Sequence, residues 1–293
     1  MQILDGKTTS QAIKDEITQN IKIRTQQKQK QPHLAAILIG NNGASETYVA
    51  SKVKSCEEVG IKSSQLRLEE TVSQEELESE IKKLNNDPDV DGILVQLPLP
   101  AHISEERIIN LIDPGKDVDG FHPVNVGKLV QGLQAFIPAT PYGIILMLQY
   151  YNIKTTGMHA VVIGRSNIVG KPMSILLSRN NEPGNCTVTM CHSKTKNLKE
   201  ITLSADLIVA ALGKPLFLKA DMVKDGAIVI DVGITRVADA SKKSGFAIKG
   251  DVDFENVSSK CSYITPVPGG VGLMTIASLL KNTLMACELK DDK

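Results

Sequence analysis

The sequence predicts an α/β protein: two α/β domains flanking a cleft, the second a Rossmann-like doubly wound parallel sheet. Three observations carry that expectation. Short apolar or β-branched runs alternate with helical stretches, as in parallel sheets with crossover helices. The chain has 293 residues, and a domain takes roughly 100–200, so two domains are expected. A dinucleotide-type glycine turn between a strand and a helix opens the second half, and the first half lacks one.

The elements follow in order. Residues 34–39 form a short apolar run closed by Gly40, and 44–59 read as a helix ended by Gly60. Ser73 and Glu76 make a capping box that opens a helix with Leu77, Ile81 and Leu84 on one face. Gly92–Val95 reads as a buried strand. Thr140 and Pro141 supply an N-cap followed by proline at the first helical position. Beyond them, residues 160–163, 186–190, 207–210 and 227–230 are four more strand candidates. Residues 273–287 form a last apolar helix. The domain boundary is expected near 138–141, giving a substrate domain of residues 1–138 plus 273–293 and a nucleotide domain of residues 139–272.

Composition excludes several classes of function. Lys plus Arg is 33 and Asp plus Glu is 33, so the net charge is zero. That balance disfavours a general nucleic-acid binder or an anionic-membrane binder. Aromatic residues are 3% with no Trp, which leaves little for base stacking. Apolar runs such as 207–212 fall far short of the roughly 20 residues of a membrane span. The N-terminus lacks a basic region followed by an apolar one, so no secretory signal is expected. The five cysteines are scattered without a CxxC pair, which reads as cytoplasmic free thiols. Cys186, Cys191 and His192 supply only three clustered donors where a structural zinc needs four, so no metal is expected.

The glycine turn lies in AVVIGRSNIVGKPMSILL, residues 160–177. A strand that feeds a helix N-terminus through such a turn aims backbone N–H groups and the positive helix end at an anion, and a pyrophosphate is the natural guest. The pattern is not GxGxxG. It is not a P-loop either, because five residues separate Gly164 from Gly170 and Pro172 follows Lys171. The alternative is a plain βα turn. An NAD site usually ends its second strand in an acid that holds the ribose hydroxyl. Here that strand ends in Cys191-His192-Ser193-Lys194, with Arg165 directly after the first glycine. These groups suit a 2′-phosphate and favour NADP.

In the first half, Tyr48 and Lys52 are four apart on the predicted helix and share a face. Gln96 follows a strand directly, where α/β proteins form ligand sites. Asp117 and Asp119 flank a turn, and the commoner role of such residues is an Asx turn or a cap. The stretch PVPGGVG at 266–272 reads as a tight loop or as close backbone approach to a flat ligand.

Taken together, the chain resembles the bifunctional methylenetetrahydrofolate dehydrogenase/methenyltetrahydrofolate cyclohydrolase family. The matching stretches include ASETYVASKVKSCEEVGI (44–61), GILVQLPLP (92–100), KDVDGFHPVNVGKL (116–129), VVIGRSNIVGKP (161–172), CHSKT (191–195), DVGI (231–234), GDVDF (250–254) and TPVPGGVGLMT (265–275). They occur in order and span nearly the whole chain.

The resemblance implies a cytoplasmic homodimer acting on tetrahydrofolate derivatives with NADP, in one-carbon metabolism and purine biosynthesis. It implies that Lys52 is the catalytic lysine over the one-carbon unit, that Gln96 hydrogen-bonds it, and that Tyr48 packs against the folate rings. It implies that Asp119 receives the pterin donors and that Pro268, Gly269, Gly270 and Val271 line the folate side. Gly164, Arg165, Ser166, Ser193 and Ile234 would line the NADP site. The chain departs from the common pattern at Ala139 (usually Cys), Tyr142 (usually Lys or Arg) and Leu273 (usually Pro). A shikimate-dehydrogenase-like enzyme is the main alternative, and it would not require the PGGVG loop or the DVDG turn.

Overall fold

The computed structural model describes residues 1–239, 241–242 and 245–291. Asp292 and Lys293, the end of the expected substrate domain, lie outside the described residues. The first half contains β1 (Gln2–Ile3), α1 (Gly6–Gln26), β2 (His33–Ile39), α2 (Gly43–Val59) and β3 (Lys62–Leu68). It continues with α3 (Gln74–Asn86), β4 (Gly92–Val95), α4 (Glu105–Leu111) and α5 (Pro123–Val130). The second half contains α6 (Ala139–Tyr150), β5 (His159–Ile163), α7 (Gly170–Ser178), β6 (Thr187–Cys191), α8 (Leu198–Leu203) and β7 (Leu207–Ala210). It ends with β8 (Ala227–Asp231), β9 (Thr235–Ala238), β10 (Phe246–Lys249), α9 (Phe254–Val257), β11 (Cys261–Ile264) and α10 (Val271–Asp291).

The chain forms two compact units. One holds Gln11–Pro138 with Ile276–Lys293, the other Met1–Ser10 with Ala139–Thr275. The first ten residues, expected with the first half, belong to the second unit. The reason is local pairing. β1 adds in parallel to β11, Leu4 N–H donates to Ile264 O at 2.8 Å, and Gly6 N–H donates to Gly269 O at 2.9 Å. Two residues of strand leave no readable periodicity.

The first unit is built on a parallel sheet ordered β3-β2-β4. β2 is central and buried at every position, as its unbroken apolar run requires. β3, KSSQLRL, is an edge strand with several exposed positions, so no apolar run reveals it. The capping box is present: Glu76 N–H donates to Ser73 Oγ, and Ser73 N–H donates back to the Glu76 carboxylate at 2.9 Å. Leu77 and Ile81 of that helix are buried among Ile37, Ile93 and Ile108. Deeper still, Asp91 is fully buried and paired with Lys30 at 2.6 Å and with Lys290 of α10 at 2.8 Å.

The second unit carries a six-stranded parallel sheet ordered β1-β11-β8-β7-β5-β6, the Rossmann-like doubly wound arrangement expected. β9 and β10 form a separate antiparallel pair. The central strands β5, β7 and β8 bury Val161, Ile163, Ile208, Ala210 and Val229 in one core with Leu218, Val257 and Ile264. α6 begins at Ala139, one residue ahead of the predicted Thr140 cap. α10 runs from Val271, two residues before its predicted start, to Asp291.

Candidate active site

α2 follows β2 and turns Val49, Lys52, Ser55, Cys56 and Val59 inward. Lys52 is therefore a buried amine, 6% exposed. Its Nζ donates to Gln96 Oε1 at 3.2 Å and lies 4.8 Å from the centre of the Tyr48 ring. Gln96 is delivered by β4, where its N–H extends the ladder to Ile37 O at 3.0 Å. Its Nε2 donates to Leu97 O at 2.7 Å. That bond fixes the amide so that its oxygen faces the lysine.

Burial lowers the Lys52 pKa, and the nearby Asp119 charge opposes the shift. One turn along, burial pushes the Cys56 thiol up to about 12, so it stays protonated and is a poor nucleophile.

Asp119 sits on a turn that docks beside β4, where Ile93 N–H donates to Lys116 O at 2.8 Å. Asp117 holds the turn closed. Its carboxylate accepts from Phe121 N–H at 3.2 Å, His122 N–H at 2.8 Å and Asn125 Nδ2 at 2.9 Å. Gly120 has φ +73°, and the 136–138 backbone occupies the space a side chain would need. From α10, Asn282 Nδ2 donates to Val118 O at 2.8 Å and Ile137 O at 2.9 Å. Asp119 is thus presented from a turn fixed on several sides. Desolvation pushes its carboxyl up to about 6, with Lys52 pulling it down and Asp117 pushing it up. Asp119 is still mostly ionised at neutral pH.

These four side chains place an exchangeable amine, an amide acceptor, an aromatic face and a carboxylate within one unit. That set can bind a flat ligand with adjacent N–H donors and move a proton beside it.

In the other unit, Gly164 closes β5 with φ +135°, and a Cβ there would collide with the Ala211 carbonyl oxygen. The expectation of free N–H groups at the start of α7 needs correction. Ser166 Oγ accepts from Val169 N–H at 3.1 Å and Gly170 N–H at 3.3 Å, and Ser166 O accepts from Lys171 N–H at 3.0 Å. The helix start is capped from within its own turn. With both hydroxyl lone pairs engaged, what Ser166 offers a ligand is its O–H donor. Arg165 and Ser166 are exposed.

After β6 the loop is closed by His192 N–H to Thr195 Oγ1 at 2.8 Å and Lys194 N–H to His192 Nδ1 at 3.1 Å. It presents Ser193 and Lys194 to solvent, without an acid at the strand end. A guanidinium, two hydroxyls and an ammonium on these turns fit a phosphorylated nucleotide. Ile234 is 57% exposed at the β8 loop. Pro268, Gly269, Gly270 and Val271 form the turn into α10, against which Gly6 packs.

The structure thus joins Tyr48, Lys52 and Gln96 by contact and Asp119 by charge. It places Gly164, Arg165, Ser166, Ser193, Ile234 and the 268–271 loop in the other unit. Asp117 organises the turn in the Asx manner that its pattern predicts. Two contributors escaped the sequence reading: Asn282 as the clamp of that turn, and Ser166 as a helix cap. A Ser three residues before Val169 is a weak sign of the latter. Nothing in the sequence signals Asn282.

Two family models match the chain. Tetrahydrofolate dehydrogenase/cyclohydrolase, catalytic domain, covers residues 4–119, and the NAD(P)-binding domain of the same name covers residues 138–291. The Bifunctional protein FolD of Flavobacterium johnsoniae is 60% identical over 100% of this chain and 99% of its own. The crystal structure of the FolD methylenetetrahydrofolate dehydrogenase/cyclohydrolase from Campylobacter jejuni is 51% identical, with a TM-score of 0.93 over 99% of each chain. The Trypanosoma brucei enzyme, solved with NADP and an inhibitor, is 37% identical with a TM-score of 0.92, covering 99% of this chain and 98% of its own.

Proposed function

The chain belongs to the tetrahydrofolate dehydrogenase/cyclohydrolase family, and on that premise we propose how its residues divide the work. The protein is a bifunctional enzyme of folate one-carbon metabolism. It oxidises 5,10-methylenetetrahydrofolate to the 5,10-methenyl cation with NADP⁺, and hydrolyses that cation to 10-formyltetrahydrofolate. NADP⁺, when bound, supplies the two-electron oxidant.

Lys52 is the proton-transfer group of the hydrolytic step. Water adds to the methenyl carbon, one proton leaves, and the ring C–N bond opens to the formamide. A neutral amine beside the attacking water accepts that proton. The observation that carries this role is a buried Lys52 with a lowered pKa, held by an amide oxygen at 3.2 Å. Burial favours the neutral form needed by a base, and Gln96 steadies the ammonium once it has formed. Asp119 accepts the adjacent pterin N–H donors as an ionised carboxylate, and Tyr48 provides the ring face.

Gly164, Arg165, Ser166, Ser193 and Ile234 bind NADP. Pro268, Gly269, Gly270 and Val271 are assigned to folate contact on family resemblance. The one-carbon chemistry belongs to residues 11–138 with 276–293, and the nucleotide to 1–10 with 139–275. A cytoplasmic homodimer without nucleic-acid partners completes the proposal. No described helix is long and apolar enough to cross a membrane.

The test combines two assays. Methylenetetrahydrofolate with NADP⁺ should yield reduced cofactor, and added methenyl compound should disappear. Lys52→Met should lose the second activity while remaining folded. Wild-type hydrolysis by that variant would remove Lys52 from the mechanism.

A further inference from the structure

Two buried carboxylates in the six-stranded unit join three loops. Asp251 is fully buried, and its Oδ2 accepts from Leu212 N–H at 2.6 Å and Gly213 N–H at 2.9 Å. Asp231, 3% exposed, ends β8. Its Oδ1 accepts from Gly233 N–H at 2.9 Å and Asp251 N–H at 2.8 Å, and its Oδ2 from Val252 N–H at 2.9 Å. The packing leaves no slack. A Cβ on Gly250 would collide with the Asp231 carboxylate, and one on Gly233 would meet Asp251 Oδ1 at 2.5 Å. That Oδ1 is buried and has no hydrogen-bond partner.

Burying a carboxylate is costly unless its bonds compensate, and an unpartnered oxygen adds to the cost. At position 251 a neutral amide would satisfy the same donors without burying a charge. What the pair supplies is position. Asp251 holds the loop after β7, residues 211–213, whose Ala211 carbonyl packs against Gly164. Asp231 holds the loop after β8, which runs through Gly233 to Ile234. Both loops leave the C-terminal edge of the sheet, where α/β proteins bind their ligands.

We propose that Asp251 is a positioning residue of the nucleotide site. Through Leu212 and Gly213 it fixes the loop that backs the Gly164 turn. Its own backbone N–H ties it to Asp231 and so to the loop that carries Ile234. The inference rests on the assignment of Gly164 and Ile234 to NADP.

The test is NADP⁺ binding by calorimetry, with circular dichroism to confirm folding. Asp251→Ala should raise the NADP⁺ Kd about tenfold or more, as expected for the loss of two charge-assisted bonds. Its KM for methylenetetrahydrofolate should stay within about twofold of wild type, since those contacts lie elsewhere. Asp251→Asn keeps one oxygen for both N–H donors and should bind NADP⁺ within about threefold of wild type. A folded Asp251→Ala that binds NADP⁺ normally would overturn the proposal. So would an equal rise in both constants, or an Asp251→Asn as impaired as the alanine variant.

If Asp251→Ala does not fold, hydrogen exchange on the wild type decides. Saturating NADP⁺ should slow exchange across residues 211–213 and 232–234, and unchanged exchange there would overturn the proposal. Wild-type protein that fails to bind NADP⁺ at all would instead remove the nucleotide-site reading.

Discussion

Lys52 and Gln96 meet amine nitrogen to amide oxygen, at 3.2 Å, because the Gln96 nitrogen is committed to the Leu97 carbonyl. The contact is polar but uncharged, so it steadies an ammonium without forcing the lysine to remain one. Gln96→Glu tests that balance. A carboxylate at this position raises the Lys52 pKa, by about one unit or more at such a distance. The rise of methenyl hydrolysis with pH should move upward by a similar amount. An unshifted profile would show that position 96 does not tune the lysine.

Lys52→Arg keeps the charge and most of the volume but cannot act as a base, because guanidinium stays protonated. The variant should fold and lose about a hundredfold or more of its cyclohydrolase kcat, the scale of general base catalysis. Hydrolysis near the wild-type rate would refute the assigned role.

Asp119 sets binding against stability. Its folded pKa of about 6 lies above the ordinary 3.8, so the folded protein holds this proton more tightly than the unfolded chain. Its stabilising contribution is complete below about 3.8 and is lost as pH rises to about 6. At neutral pH the charge costs the fold. Asp119→Asn should therefore be more stable at pH 7.5, on the order of 1–2 kcal/mol in denaturant titration. It should also bind folate substrate about tenfold more weakly, as the loss of a charge-assisted bond implies. A variant both less stable and undiminished in folate KM contradicts both arguments.

Cofactor choice depends on the end of β6. Ser193→Glu places an acid beside the proposed 2′-phosphate position. It should raise the NADP⁺ KM about tenfold or more and leave the NAD⁺ KM little changed. Parallel titrations of the two nucleotides give the ratio directly. An unchanged ratio would place the phosphate elsewhere.

The α/β architecture was legible because strands buried at every position read as unbroken apolar runs: β2, β4, β7 and β8. β3 was hidden because its solvent-facing edge carries polar residues, and β1 because two residues show no period. The site was legible where chemistry demands a residue type. A lysine cannot be replaced as a base, and an acid-free strand end permits a phosphate. It was hidden where the work is done by remote residues. Asn282 is 145 residues from Ile137, and no local pattern records that bond. The free N–H groups expected at α7 failed for the opposite reason, since a nearby serine satisfied them first.

The pairing of Asp91 with Lys290 spans 199 residues, and Asn282 reaches back 164 residues to Val118. A ribosome releases the Asp119 turn and its three-stranded sheet long before either partner exists. The unit that carries Lys52 is mostly made first but completed only when α10 is made. Until α10 emerges, Asp91 has its Lys30 ion pair but not the one to Lys290. Nascent chains stalled before residue 282 should therefore carry an intact Lys52 helix and an unclamped Asp119 turn, so that competence for folate arrives only once α10 is in place.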